Sequence, residues 1–384
     1  MEINPKFDDI RPFYDEEIPA AIEKLLNDVE FKRVVNLILP DRDWNELSAL
    51  MRTLKSKRDF QLNLIKDIVY ELVERSADRP EVSGFENINS SQAYTFITNH
   101  RDIVLDAAIL DVTLADQGFD IPEIAIGDNL LLHPWIENLV RINRSFIVKR
   151  GVSFREMLET SKHLSQYIHF TIKEKNQSIW IAQREGRAKD SNDRTQESLL
   201  KMLAMGGTGG SRNNIRDLNI CPVSLSYEYD PCDYLKAKEF QMKRDTPDFK
   251  KSRADDLLNM ETGIFGFKGR IHFQIAEPIN SVLDTGVLSG EKNEQIRQVA
   301  EIIDKEIFMN YKFYPVNYIA FDRLKKMNRF EDRYIQEDIL KFDSYLQQQL
   351  DKIDLPQKDL PFLTEKILEM YSNPVKNFLS VSSS

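Results

Sequence analysis

YTFITNHRDIVLDAAIL, residues Tyr94–Leu110, changes character at its centre. Tyr94, Phe96 and Ile97 form an apolar, β-prone run. Asn99-His100 breaks it, and Ile103, Val104, Ala107 and Ala108 then recur at helical spacing. His100 is thereby expected where a strand gives way to a helix N-terminus, whose free backbone N–H groups favour anions. A histidine there can act as a base if a carboxylate fixes its tautomer and supports its charge. Asp102 and Asp106 are both within reach by sequence. A lone His near an Asp is more often a satisfied loop histidine beside a helix cap, so the reading depends on what lies downstream.

Short β-like runs alternate with helical patterns from about residue 84 to 320. The strands are expected at Tyr94–Thr98, Ile124–Ile126, Phe146–Lys149, Ser178–Ala182, Asn219–Ser226 and Arg270–Ile275, with helices at Ser153–Ile172 and Glu291–Asn310. Such alternation predicts an α/β fold with a central, mostly parallel sheet flanked by helices. Residues 1–83 read as a helical N-terminal region, with Leu64, Ile65, Ile68, Val69, Leu72 and Val73 at helical spacing before Arg79-Pro80. Residues 321–384 read as a helical C-terminal extension with a frayed, Ser-rich tail. The Gly206–Gly210 stretch lacks the Lys-Ser/Thr of a phosphate loop and reads as a connector.

Composition narrows the function. The 384 residues are 41% hydrophobic and 30% charged, enough for a substantial core, and the net charge of −10 argues against nonspecific nucleic-acid binding. Cys221 and Cys232 fit neither a zinc spacing nor a disulfide framework, which points to a reducing compartment. The acidic N-terminus has no signal-peptide order, and no run approaches the roughly 18–20 apolar residues of a membrane span. His100-Arg101-Asp102 also opens the catalytic loop of protein kinases. That loop needs an Asn where this chain has Ala107, and no Asp-Phe-Gly follows. The five histidines include no H-E-x-x-H, so no metal centre is expected.

Three further segments carry the functional reading. Arg141–Arg155 (RINRSFIVKRGVSFR) has five basic residues and no acidic one. Ser178–Arg187 (SIWIAQREGR) is a strand running into Arg184-Glu185-Gly186-Arg187, where arginines beside a permissive glycine suit a phosphate. Asn219–Tyr229 (NICPVSLSYEY) is an apolar strand near whose start a proline stands. Any one of these alone is more commonly a solvated face, a turn or a strand start.

In this order and spacing the four segments resemble the sequence blocks of the glycerol-3-phosphate/1-acylglycerol-3-phosphate acyltransferase family. The first block reads NHRDIVLD here, the second FIVKR, the third REGRAKD and the fourth CPVSLSYEY, with FQIAEPI (Phe273–Ile279) fitting a closing strand. The resemblance covers about 84–310. It implies an O-acyltransferase of phospholipid synthesis that moves a fatty acyl group from acyl-CoA or acyl carrier protein to a glycerol-3-phosphate or lysophosphatidate hydroxyl. His100 would be the general base, with no covalent intermediate and no cofactor. Lys149, Arg150, Arg184, Glu185, Gly186 and Arg187 would bind the acceptor, and an apolar tunnel the acyl chain.

One departure stands out. The family's Asp follows its His at a spacing that falls on Leu105, whereas Asp106 lies one residue later, about 100° further round an ideal helix. Either the turn carries an extra residue and Asp106 still reaches His100, with Asp102 as cap, or Asp102 has taken over. The favoured partner is Asp106. The resemblance also implies a cytoplasmic protein attached peripherally to the inner face of the membrane. The basic Arg141–Arg155 is the expected surface, and Lys236–Arg253, seven cations against three acids, reads rather as a solvated loop. A hydroxyacyl amino acid as acceptor, and a non-catalytic lipid-binding relative, are the alternatives.

Overall fold

The computed structural model describes residues 4–382 apart from Pro247, and all their side chains except those of Phe154 and Arg253. Its centre is a seven-stranded sheet: β1 (Glu81–Ser83), β2 (Thr95–Thr98), β3 (Glu123–Gly127), β4 (Ser145–Val148), β5 (Ile179–Ala182), β6 (Ile220–Tyr227) and β7 (Ile271–Ile275), in the order β1-β7-β6-β2-β5-β3-β4. Strands β6, β2, β5, β3 and β4 are parallel neighbours, and β7 runs antiparallel to β6 with β1 parallel to β7. The mostly parallel α/β fold expected from the alternation is therefore present, with a reversed pair at one edge. The sheet takes its first strand from 81–83, inside the stretch assigned by sequence to the helical N-terminal region.

Alternation along the strands separates two apolar layers. Ile97, Ile179 and Ile181 face one layer with Phe146, Ile168 and Ile303, while Phe96, Trp180, Val223 and Leu225 face the other with Leu110 and Phe273. Burial on both sides matches the near-continuous apolar reading of β6, whose eight residues are all buried. A third cluster joins the N-terminal helices around Ile22, Met51 and Phe60, and a fourth joins the C-terminal helices around Phe342, Ile367 and Tyr371. The tail is not frayed as far as it is described: the last helix runs Leu360–Ser382 with Pro374 inside it.

The basic island proves largely structural. Arg141 and Arg144 are buried. Arg141 donates to the carbonyls of Asp8, Asp9 and Arg11, and Arg144 to Asp120, Ile121 and Gln177. They tie the N-terminal chain and neighbouring loops to the sheet edge, so this stretch does not present a continuous cationic face. In Lys236–Arg253, Lys236 is buried against Asp230, Lys243 and Lys251 pair with Glu239, and Arg244 with Asp359. Much of that stretch is the helix Asp233–Asp245 rather than a loop. No helix among the described residues is long and apolar enough to cross a membrane.

Candidate active site

Parallel strands leave their loops at the carboxyl edge of the sheet, where α/β folds place their ligand sites. The ends of β2, β5 and β6 are adjacent there, since Thr98 is in register with both Ala182 and Val223. Asn99, fully buried, fixes the end of β2 by accepting from Leu225 N at 2.7 Å and donating to Leu225 O at 2.9 Å. His100 follows. The helix does not begin until Leu105, so a turn of several residues separates it from the strand.

That long turn resolves the spacing question. Asp106, in the first turn of the helix and fully buried, reaches back with Oδ2 to His100 Nδ1 at 2.8 Å. The same oxygen accepts from the backbone N–H of Arg101 at 2.6 Å and of Asp102 at 3.0 Å, while Oδ1 accepts from the Tyr227 hydroxyl at 2.8 Å. Asp102 instead takes the cap: its Oδ1 accepts from Val104 N and Leu105 N at 2.9 and 2.8 Å. Among the described residues it has no bond to His100. Burial, and then the neighbouring Asp106 charge, push the Asp102 carboxyl above its ordinary range. With Nδ1 donating to a carboxylate, His100 carries its lone pair on Nε2, and the edge-to-face contact with Trp180, 5.5 Å between centroids, steadies the ring.

His100 lines a cleft of about 570 Å³. Ile103, Ile124, Ile126, Leu164, Trp180 and Met202 are part of its apolar lining, and all six sequence-predicted binding residues also line it. Their charges are not equivalent. Lys149 is ion-paired with Asp9, and Arg150 with Glu185 at 2.6 Å. Further along, Lys189 and Lys251 pair with Glu239, and Lys236 with Asp230. Arg184 and Arg187 are the cleft cations without a carboxylate ion pair among the described residues, and Arg184 Nε has no partner there at all. Arg187 is held by the Arg101 carbonyl at 3.4 Å and Asn259 Oδ1 at 3.2 Å, with the Cys232 thiol and the buried Asp230 and Asp102 carboxylates acting on it from nearby, so Arg184 is the less compensated of the two. Gly186 between them has φ +66°, and no atom lies within 4 Å of where its Cβ would stand, so it serves the turn and leaves the cleft open.

Four features were not anticipated from sequence. Tyr227 braces Asp106. Arg101 and Asp193 form a buried two-pronged pair at 2.9 and 2.6 Å, to which Tyr311 donates at 2.6 Å, holding the His100 turn against the chain after Arg187. Trp180 lies against the imidazole. The helix Arg253–Phe265 closes one side of the cleft with Asp256 and Asn259. Trp180, Tyr227 and Arg101 sat inside segments already singled out, but their partners there depend on strand order and have no local signature, and Asp193, Tyr311 and most of the helix Arg253–Phe265 lay outside those segments. No group of three or more His, Cys, Asp or Glu among the described residues is arranged to hold a metal ion.

The segment 79–226 matches the family model described as Acyltransferase, and it runs from just before β1 to within β6. Among solved structures, the chain is similar to the crystal structure of the 1-acyl-sn-glycerophosphate (LPA) acyltransferase PlsC from Thermotoga maritima. The identity is 14%, the match covers 76% of this chain and 97% of that one, and the TM-score is 0.37, a distant likeness. No curated protein matches the chain.

Proposed function

The chain is an acyltransferase by its 79–226 domain, and from that premise we propose that it moves a fatty acyl group from a thioester, acyl-CoA or acyl carrier protein, to the hydroxyl of glycerol 3-phosphate or lysophosphatidate in phospholipid synthesis. One observation carries this reading: a His100–Asp106 pair opens onto a cleft lined by apolar side chains and by two arginines with no carboxylate at ion-pair distance among the described residues. The apolar lining suits a fatty chain, and Arg184 and Arg187 suit a phosphate, which guanidinium groups bind through two parallel bonds.

In this mechanism His100 Nε2 takes the proton of the acceptor hydroxyl as its oxygen attacks the thioester carbonyl. The tetrahedral intermediate then collapses, the C–S bond breaks, and the leaving thiolate takes the proton back from the imidazolium. Asp106 holds the ring and stabilises its transient charge, and Tyr227 and two backbone N–H groups hold Asp106. No enzyme nucleophile is required. Cys221 and Cys232 are both buried, and burial raises both thiols, Cys232 to about 11, so neither is a ready thiolate.

Glu185 orients Arg150, and Lys149 and Arg150 bound the pocket with their charges already compensated. A hydroxyacyl amino acid is the second candidate acceptor, but Glu239 and Asp256, the other carboxylates lining the cleft, give it little support because Lys189, Lys243 and Lys251 already pair with them. The His–Asp geometry, kept despite its altered spacing, weighs against a non-catalytic relative. An acceptor screen tests the proposal: long-chain acyl-CoA and acyl carrier protein in parallel against glycerol 3-phosphate, lysophosphatidate and a hydroxyacyl amino acid, with products read by mass spectrometry. Acylated glycerophosphate supports it. Product only with the amino-acid lipid replaces the acceptor, and no product with any pair removes the activity.

A further inference from the structure

The last helix, Leu360–Ser382, lies outside the 79–226 segment, yet it bonds to two stretches of chain that build the cleft. One is the stretch after Arg187: Asn373 Nδ2 donates to the carbonyl of Asp190, three residues further on, at 2.7 Å. The other is the turn after β6, where the Asp230 backbone N–H donates to the Tyr371 hydroxyl at 3.0 Å. That hydroxyl donates in turn to Asp233 Oδ2 at 2.8 Å, and Tyr345 and Gln349 donate to the same carboxylate at 2.8 and 2.7 Å. Tyr371 is buried, and Asn317 donates to its carbonyl at 2.9 Å, so the residue is held from both ends. The Asp230 carboxylate stands between this helix and the cleft. It pairs with Lys236 and acts on Arg187, and both cations line the cleft. Burial alone would push that carboxyl up, but Lys236 and then Arg187 hold it below its ordinary range. A cavity of about 30 Å³, lined by Arg101, Tyr227, Asp230, Tyr371 and Pro374 among others, lies between the helix and the His100 turn.

We propose that Tyr371 and Asn373 are positioning residues for the acceptor: by fixing the 187–190 stretch against the Asp230 turn, they keep Arg187 aimed into the cleft at the acceptor phosphate. The proposal rests on the phosphorylated-acceptor reading above and extends the site to a helix that the matched segment does not include. Neither residue lines the cleft; each acts through Arg187. Two observations favour positioning over packing alone. The hydrogen bonds of Arg187 itself, at 3.4 and 3.2 Å, are long, so its place depends on where the two stretches are held. The helix also divides its work: Leu363 and Ile367 pack in the C-terminal apolar cluster, whereas the Tyr371 hydroxyl and the Asn373 amide make directional bonds to the backbone of the cleft's own loops.

Calorimetric titration of the full chain with inorganic sulfate, alongside steady-state kinetics with the phosphorylated acceptor, tests this. Tyr371→Phe and Asn373→Ala should each weaken sulfate binding and raise the acceptor KM by about three- to tenfold, the equivalent of one net hydrogen bond. The kcat and the thioester KM should stay within about twofold of wild type. Leu363→Ala, which truncates a fully buried residue of the same helix, should lower the melting temperature and leave sulfate affinity and acceptor KM unchanged. In an Arg187→Ala background, Tyr371→Phe should add no further loss, because the two act through one contact. Unchanged sulfate affinity in both Tyr371→Phe and Asn373→Ala overturns the proposal, as does a wild type that binds no sulfate. A loss in Leu363→Ala as large as theirs also overturns it, in favour of general loosening, and so does a Tyr371→Phe loss that adds in full to that of Arg187→Ala. Sulfate binding that follows the expected order in a protein without acyl transfer counts against the acyltransfer reading alone, because the titration is scored without turnover.

Discussion

The Tyr227 hydroxyl, at the end of β6, donates at 2.8 Å to Oδ1 of Asp106, whose other oxygen holds His100. A tyrosine 121 positions away thus takes up one side of the carboxylate's charge and fixes its plane. Removing that donor leaves more of the charge directed at the imidazole. Tyr227→Phe is expected to lower kcat several-fold while the protein stays folded, because the carboxylate that orients the imidazole loses one of its fixed donors. A variant with unchanged kcat would mean that Tyr227 serves only packing.

The two aspartates should separate cleanly. Asp106→Asn removes the imidazole's charge partner and should lower kcat by roughly 10²–10⁴-fold, the range of general-base assistance. Asp102→Asn keeps a side-chain oxygen for Val104 N and Leu105 N, and asparagine caps about as well as aspartate, so stability should change by less than about 1 kcal/mol. Steady-state rates and melting curves on both variants decide it. The reversed pattern would make Asp102 the functional carboxylate.

Among the cleft arginines, charge compensation predicts an order. Loss of Arg184 or Arg187 should raise the KM of a phosphorylated acceptor about tenfold or more, since a charge-assisted hydrogen bond is worth roughly 1.5–3 kcal/mol. Arg150→Ala should do less, because Glu185 already engages that guanidinium. Sulfate should compete with the acceptor in the wild type and less well in Arg187→Ala. Equal effects of all three substitutions on the thioester KM would instead assign these residues to the donor.

Lys268 is fully buried, and its Nζ donates to Ser76 Oγ and to the carbonyls of Ile264 and Gly266, fastening the end of the helix that closes the cleft. All three acceptors are neutral, and burial lowers its pKa from 10.5 to about 8. The folded state therefore binds fewer protons than the unfolded one between about pH 8 and 10.5. Within that window this group makes stability rise with pH, by up to about 1.4 kcal/mol per unit. Below pH 8 its cost is fully present. Denaturant titrations of wild type and Lys268→Met at pH 7.5 and 9.5 should show the difference between them shifting in favour of wild type at the higher pH. A difference independent of pH would contradict the assignment.

The sequence was most legible where chemistry and local periodicity coincide. The expected strands fall within a residue or two of those observed, because buried β-branched runs bounded by polar turns have few alternatives. Strand β1 was missed because Glu81–Ser83, between Pro80 and Gly84, is too short and polar to stand out; pairing with β7 creates it. The reversal of β7 was equally hidden, since a long helical connection after β6 reads as an ordinary parallel crossover. Arg141 and Arg144 looked like a free basic face because their acceptors, the Asp8–Arg11 carbonyls among them, lie far away in sequence. His100 and Asp106 were both legible. Their distance was not, because it depends on a helix that starts at Leu105 rather than directly after the histidine.

The most direct test of the account is kcat for purified His100→Ala with the acceptor found in the screen. The expected result is a fall of roughly 10²–10⁴-fold in kcat with the protein still folded and the acceptor KM nearly unchanged, because Asp106 keeps its bonds to Tyr227 and to the backbone N–H groups of Arg101 and Asp102 when the imidazole is lost. A folded His100→Ala enzyme that turns over within a few-fold of wild type would contradict it.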